Sequence, residues 1–403
     1  MNREPKGFIP TPYPYHHELE IEISDITNLG IGIGRDNGWV IQVPYCWPGE
    51  KIRAKIFRNH SNYSQADLME VIHPSPDRIE PRCKLYESCG GCQYQGVKYD
   101  TQLAWKKKQV EDSLVRLGGV SVEVLPVIPS PRSFGYRSKL TPHYQGNRQG
   151  HELTIGFLRQ GSRRALVDVT NCPIATDTIN DALPQARENL QRTHRKKRGG
   201  TLLLREVIEG VVTDPKQLVS ERVGDLVFHF KAGEFFQNNP YILPKLVEYV
   251  ISQADAGANS LLVDAYCGGG LFGLSAASRF QKVVGIEISR EGFEGARTNA
   301  QINRIKNAQF YLGDAGYIFE EIKDVSDPTA LIIDPPRKGC DEDFLRQAIE
   351  FSPQRIVYVS CEPATQARDA QILLQAGYRA VAAQPFDLFP QTRHVENVLT
   401  LIR

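Results

Sequence analysis

From Ala232 to Arg403 the chain repeats one unit: a short apolar run, a small or acidic residue, then a stretch long enough for a helical crossover. The runs are LLVDAYC (261–267), KVVGIEIS (282–289), AQFYLGDA (308–315), ALIIDPP (330–336) and RIVYVSC (355–361), with a late pair near 380 and 400. Nearly continuous apolar strands joined by crossovers require a sheet covered on both faces. The expected fold class is therefore α/β, with a doubly wound, Rossmann-like sheet over residues 236–403.

Ligands of such sheets bind beyond the carboxyl ends of the strands, so those positions come next. The first run leads into Gly268-Gly269-Gly270 and then a helix. Small residues there let a ligand approach the backbone at a helix N-terminus. Glu287 closes the second run, where a carboxylate can accept both hydroxyls of a ribose, and Asp314 closes the third. A dinucleotide enzyme would fit these features equally well. The fourth run separates the two, because it ends in Asp334-Pro335-Pro336-Arg337. Two prolines stiffen the exit and deny two backbone donors. This stretch resembles the fourth motif of methyltransferases that use S-adenosylmethionine, where it faces the methyl group and the target base. Amino-group methyltransferases usually carry an aromatic after the prolines. Arg337 argues against that class.

The fifth run ends in Ser360-Cys361-Glu362-Pro363, and Arg393-His394-Val395-Glu396-Asn397 precedes the last strand. One cysteine at a strand end and one carboxylate suit methylation at C5 of uracil. That carbon is not nucleophilic enough unaided. A thiolate adding to C6 makes an enolate, and a base must later remove the C5 proton. Cys361 and Glu396 meet these two demands; each taken singly is as well explained by structure. Over the whole catalytic half the order of motifs resembles the RNA 5-methyluridine methyltransferase family, class I and S-adenosylmethionine-dependent. Phe236-Gln237-Asn238-Asn239, Asp264-Ala265-Tyr266-Cys267-Gly268, Asp334-Pro335-Pro336-Arg337, Ser360-Cys361-Glu362-Pro363 and His394-Val395-Glu396 carry that resemblance. It implies Cys361 as nucleophile, Glu396 as base, and cofactor contacts from Gln237, Tyr266, Glu287 and Asp334; Gly268 and Asp314 join them from their places at strand ends. The family often has Asn where Glu362 stands.

Upstream, residues 18–73 alternate polar and apolar in short runs, the pattern of a small closed β-barrel. A glycine-rich turn with Gly30, Gly32 and Gly34, and the stretch Trp47 to Lys51, resemble a TRAM domain, an OB-like module of RNA-modifying enzymes. Prolines at 74, 76 and 81 mark a linker. The expected domains are 1–75 (TRAM-like barrel), 76–235 (a central α+β domain) and 236–403 (the methyltransferase).

Cys83, Cys89 and Cys92 form C-x5-C-x2-C, with Cys172 later in Asn-Cys-Pro. Four thiolates suit a four-iron cluster or a zinc ion. The resemblance points to the iron–sulfur branch of the family that modifies 23S ribosomal RNA, and so to a structural [4Fe-4S] cluster in the central domain. The formal net charge of +1 hides an asymmetry, because residues 236–403 hold 16 basic against 20 acidic side chains. Residues 132–164 hold seven basic residues (Arg132, Arg137, Lys139, Arg148, Arg159, Arg163, Arg164) and one acid, Glu152. A second basic run covers 192–198. Such segments are solvated faces in many proteins, but beside an RNA-modifying domain they suit a polyanion. Arg132, Arg137, Lys139, Arg163 and Arg164 are the candidate RNA contacts.

No run is long and apolar enough to span a bilayer, and the first residues lack a signal peptide's apolar core. The expectation is a cytoplasmic monomer that methylates 23S ribosomal RNA. The alternatives are a tRNA enzyme of the same chemistry and a non-catalytic RNA-binding homologue. An iron–sulfur oxidoreductase is disfavoured by Asp334-Pro335-Pro336-Arg337.

Overall fold

The computed structural model describes residues 4–145, 153–194, 199–255, 261–317, 319, 322 and 329–403. Arg148, Glu152 and the basic stretch 195–198 lie outside the described residues. The chain forms two compact units. One is Met1–Trp105 with Phe157–Val167 and Gln391–Arg393; the other is Lys106–Gly156 with Asp168–Pro390 and His394–Arg403.

The first unit contains the expected closed barrel. Its strands are β1 (Glu18–Ile26), β2 (Ile31–Asp36), β3 (Trp39–Pro44), β4 (Lys51–Asn59) and β5 (Tyr63–His73), in the order β1-β2-β3-β5-β4. Alternation along β1 sends Ile21 and Ile23 inward, where they meet Ile41, Val43, Ile52, Ala54 and Ile56. Gly32 and Gly34, expected in a turn, are part of β2. A methyl group on Gly32 would sit 2.6 Å from Cys46 Sγ, and one on Gly34 would sit 2.7 Å from Ile21 Cδ1. Close approach inside the barrel, not turn geometry, makes glycine necessary at both positions.

Helix α1 (Tyr99–Gly118) follows. Nine short strands come next: β6 (Lys139–Leu140), β7 (His143–Tyr144), β8 (Ile155–Leu158), β9 (Leu166–Asp168), β10 (Gly200–Thr201), β11 (Leu204–Val207), β12 (Gly210–Val212), β13 (Leu218–Val223) and β14 (Leu226–Lys231). They form small antiparallel sheets, with helix α2 (Asp177–Thr193) between β9 and β10.

The second unit is built on a seven-stranded sheet. Its strands are β15 (Leu261–Ala265), β16 (Lys282–Glu287), β17 (Ala308–Leu312), β18 (Thr329–Ile333), β19 (Arg355–Ser360), β20 (Arg379–Phe386) and β21 (Glu396–Ile402). They lie in the order β17-β16-β15-β18-β19-β21-β20, with β21 antiparallel to both its neighbours. Successive residues face opposite sides. Leu262, Ile332 and Val357 join a core with α3 (Leu243–Ala254), α4 (Leu271–Ala276) and α5 (Arg290–Ile302). Val263, Leu331 and Ile356 join another with Val110 and Leu114 of α1 and the helices Glu342–Phe351 and Pro363–Gln375. This is the doubly wound, Rossmann-like arrangement expected. The segment around Val124 to Ile128 adds parallel pairing to β20, through Val124 with Ala383 and Ile128 with Phe386. No helix among the described residues is long and apolar enough to cross a membrane.

The order reverses between β15 and β18, both of which pair in parallel beside one another. In open α/β sheets that switch point opens a crevice at the carboxyl ends of the strands. The strands stop one or two residues short of Tyr266, Asp314, Asp334 and Cys361, so these side chains stand on the exit turns.

Candidate active site

The first group of side chains surrounds the β15 exit. Tyr266 and Gly268 adopt left-handed backbone, φ +63° and +52°, and Gly270 caps α4 at φ +86°. Glu287 at the end of β16 accepts from the Gly268 amide (2.9 Å) and the Ser289 amide (2.7 Å). Its carboxylate is thus fixed beside the glycine turn with acceptor capacity left over. A methyl group on Gly268 would meet nothing within 4 Å, so space lies above that turn. Beneath it, Asp264 accepts from the Gly273 amide at 2.7 Å, tying the start of α4 to β15. Its other carboxylate oxygen is buried and unpartnered. Burial raises Asp264 to about 7, Asp334 and Glu287 push the same way, and the Gly273 bond opposes them. The Tyr266 ring packs edge-on against Phe344. Burial raises its hydroxyl, with Cys340, Asp341 and Asp314 adding to the shift. Asp314 therefore belongs to this group as well. Gln237 is buried in the segment between β14 and α3 and makes no hydrogen bond to these residues.

The second group lies at the exits of β18 and β19 and the entry of β21. Cys361, Glu396, Asp334 and Arg337 act on one another here. Burial pushes the Cys361 thiol up to about 11, and the Glu396 charge pushes it further. Arg337 opposes both through its charge and a hydrogen bond, and Asp334 adds to the rise. Glu396 is 3% exposed. Burial, then Asp334, holds its carboxyl well above the usual range, against Arg337. Burial also raises Asp334. One cation thus faces a thiol and two carboxyls that cannot all ionise cheaply. Arg337 Nη2 lies 3.4 Å from His394 Nδ1. The sequence placed Arg337 and His394 within family motifs but gave neither a role at the cysteine. Their residue types were in view, but only the fold brings them to the cysteine.

Gln366 of the helix Pro363–Gln375 donates to Tyr358 O and Asn397 O, and its Oε1 accepts from Asn397 Nδ2. That buried clamp locks β19 to β21 next to Cys361 and Glu396. Ser360 Oγ accepts from the Glu362 amide, closing the turn that presents the thiol.

The metal expectation is corrected. Among the described residues no group of three or more His, Cys, Asp or Glu side chains is placed to hold a metal ion. Cys83, Cys89 and Cys92 belong to the first unit and Cys172 to the second, all half-buried. The expected [4Fe-4S] cluster is therefore not supported by the described residues.

The basic candidates divide. Arg132 donates to Tyr241 Oη at 2.8 Å and stacks 4.0 Å from that ring. Arg137 donates to Lys139 O, and Lys139 Nζ donates to Gly233 O and Glu234 O. Burial, with Arg205 and Arg137 nearby, lowers Lys139 to about 8. Arg163 and Arg164 are exposed.

Residues 179–403 match the family described as tRNA (Uracil-5-)-methyltransferase. The tRNA (uracil(54)-C(5))-methyltransferase of Schizosaccharomyces pombe is 42% identical over 399 residues, 93% of this chain and 76% of that protein. The Saccharomyces cerevisiae protein of the same name is 33% identical over 441 residues, 90% and 69% of the two chains. Among solved structures, the Pyrococcus abyssi tRNA (uracil-54, C5)-methyltransferase in complex with S-adenosyl-L-homocysteine aligns with a TM-score of 0.72 and 26% identity. That alignment covers 95% of this chain and 100% of the other.

Proposed function

The chain belongs to the tRNA (uracil-5-)-methyltransferase family and is an RNA uracil-C5 methyltransferase; from that premise we propose that its substrate is a uridine of tRNA. The expectation of 23S ribosomal RNA gives way here, because the Schizosaccharomyces pombe and Saccharomyces cerevisiae relatives are named for uridine 54 of tRNA. In this reading residues 1–75 are an RNA-contacting barrel of TRAM type, 76–235 carry basic surface, and 236–403 transfer the methyl group. Arg163 and Arg164, exposed, are the candidate phosphate contacts. Arg137 and Lys139 are half-buried and bonded to backbone carbonyls, and the exposed Arg132 is held on Tyr241.

The cofactor of this reading is S-adenosylmethionine. The open left-handed turn at Gly268, the fixed Glu287, the half-buried Tyr266 and the exposed Asp314 suit a ribose and an adenine-bearing ligand. Gln237 and Asp334 are kept as contacts by their motifs. When bound, the cofactor supplies an electrophilic methyl group.

The single observation that carries the reading is the mutual placement of Cys361, Arg337 and Glu396. The Cys361 thiol gives its proton to solvent, the sulfur bonds to uracil C6, and the electron pair of the C5–C6 double bond moves to C5. Arg337 favours the thiolate by charge and hydrogen bond. Once C5 carries the methyl group, Glu396 takes the C5 proton, the C5–C6 double bond re-forms and the thiolate leaves. A carboxyl held above its usual range is a better proton acceptor once charged. Burial around Glu396 keeps water from competing.

The test uses a labelled methyl donor, a tRNA transcript and a 23S ribosomal RNA fragment. Label should enter tRNA and be lost when uridine 54 is replaced by cytidine. Label in the ribosomal fragment alone would overturn the tRNA assignment.

A further inference from the structure

The nucleophile depends on one long side chain that its own loop does not fix. Pro335 and Pro336 donate no backbone hydrogen bonds, and Arg337 is exposed, its backbone tied only through Thr365 Oγ1 donating to Arg337 O. The guanidinium has to be aimed at Cys361 by something else. His394 is in place to do this, 3.4 Å away through Nδ1.

We infer that His394 is a positioning residue, whose neutral imidazole accepts from Arg337 and holds the guanidinium against the Cys361 sulfur. The inference rests on the reading of Cys361 as nucleophile. A guanidinium has only donors, so the Nδ1 it meets must carry a lone pair, which puts the ring proton on Nε2. Protonating His394 removes that acceptor and sets two cations in contact. The guanidinium then swings away from the thiol.

The imidazole is itself held by a stiff loop. Its ring packs edge-on to Phe389, centroids 6.1 Å apart. Lys106 Nζ donates to Phe389 O at 3.1 Å and pairs with Asp387 at 2.6 Å, both side chains fully buried. Asn239 Nδ2 donates to Leu388 O, and Tyr136 Oη donates to Pro390 O, both at 3.0 Å. Three side chains from three distant segments therefore pin the four residues Asp387 to Pro390. A buried ion pair seldom adds net stability over apolar packing, so its use here fits orientation better than cohesion.

The charged groups facing Cys361 are Glu396 from β21 and Asp334 and Arg337 from the β18 exit. The two acids raise the thiol and Arg337 alone lowers it. Losing the aim of Arg337 must raise the thiol further.

The test is alkylation of Cys361 by iodoacetamide in the full chain without RNA, followed by peptide mass from pH 6 to 9. His394→Leu should slow alkylation about tenfold at pH 7.5, a shift of about one pH unit in the thiol titration. His394→Asn keeps an acceptor where Nδ1 stood and should keep the wild-type rate. Wild-type behaviour by His394→Leu, or equal loss in His394→Asn, overturns the inference. If His394→Leu fails to bind S-adenosylhomocysteine and so has not kept its fold, the His394→Asn rate decides, and a tenfold loss there overturns it. A failure of the tRNA reading would appear in the methylation assay and leave this measurement untouched.

Discussion

Glu50 in the barrel and Glu396 in the sheet are both buried glutamates in opposite settings. Glu50 accepts from four donors: the Trp47 amide, the Ser75 amide, and Nε and Nη2 of Arg78. Elsewhere in the barrel, Asn59 Nδ2 donates to Ile9 O and Tyr13 O, and its Oδ1 accepts from Ser64, which accepts from Trp39. Polar groups buried there are largely settled. At the strand exits of the sheet the reverse holds. Asp264 leaves one buried oxygen unpartnered, and buried Glu396 and half-buried Asp334 share one facing cation, the exposed Arg337. Buried polar groups are ordinarily satisfied, so unsettled ones mark chemistry more than cohesion. The contrast yields a rule for this protein: acids in the barrel hold structure, and acids at the sheet exits are held against their preference for use.

The largest effect expected from the rule falls on the covalent step. Cys361→Ala should lower methyl transfer to tRNA by at least about 10⁴-fold and form no adduct. Glu396→Gln keeps the shape and removes the base. It should methylate once and stall as a protein–RNA adduct that survives a denaturing gel. Slow release through water is compatible with this. Full multiple turnover by Cys361→Ala would place the sheet's buried acids in a structural role like that of Glu50.

The barrel side of the contrast is tested by Glu50→Leu. It strands four donors, two of them on Arg78, and should cost about 3–5 kcal/mol. The barrel should lose protease resistance while the sheet unit still binds S-adenosylhomocysteine. Retained barrel stability would mean that its polar network is as dispensable as an exposed ion pair.

Glu287→Ala comes next. It removes the acceptor of the Gly268 and Ser289 amides and of the expected ribose contact. Affinity for S-adenosylmethionine should fall about ten- to a hundredfold, read by calorimetry. Unchanged affinity would move the cofactor away from the β16 exit.

Much of this contrast was legible in the sequence because it is written in period and punctuation. The five apolar runs became β15 to β19, and alternation in ELEIEISDI became β1. Acids at run ends reached the switch point because strand ends share one edge whatever the loops do. What escaped depends on partners far along the chain. Gly32 and Gly34 read as a turn, since glycine leaves no alternation; their reasons are Cys46 and Ile21. The Val124 to Ile128 segment pairs with β20 more than 250 residues later, beyond any local signal. Lys106 reads as one more charge on a basic helix, yet it is fully buried against Asp387. The four cysteines had a persuasive spacing, but no metal-holding group among the described residues accompanies it.

The smallest effect is the most diagnostic, because it reverses the usual sign. An unfolded glutamate titrates at about 4.3. In the folded protein Glu396 titrates well above that, by burial and by Asp334. Between those two values the folded chain binds more protons than the unfolded one, so stability falls as pH rises through the window. Glutamine cannot ionise and escapes the loss, and it also relieves Asp334. Glu396→Gln should therefore match wild type near pH 4.5 and melt above it at pH 8, read in the sheet unit. The same substitution that stalls the enzyme should stabilise it. A thermal scan at the two pH values decides. A loss at pH 8 would show Glu396 to be a satisfied carboxylate like Glu50, and a gain equal at both would tie the effect to packing and not to charge.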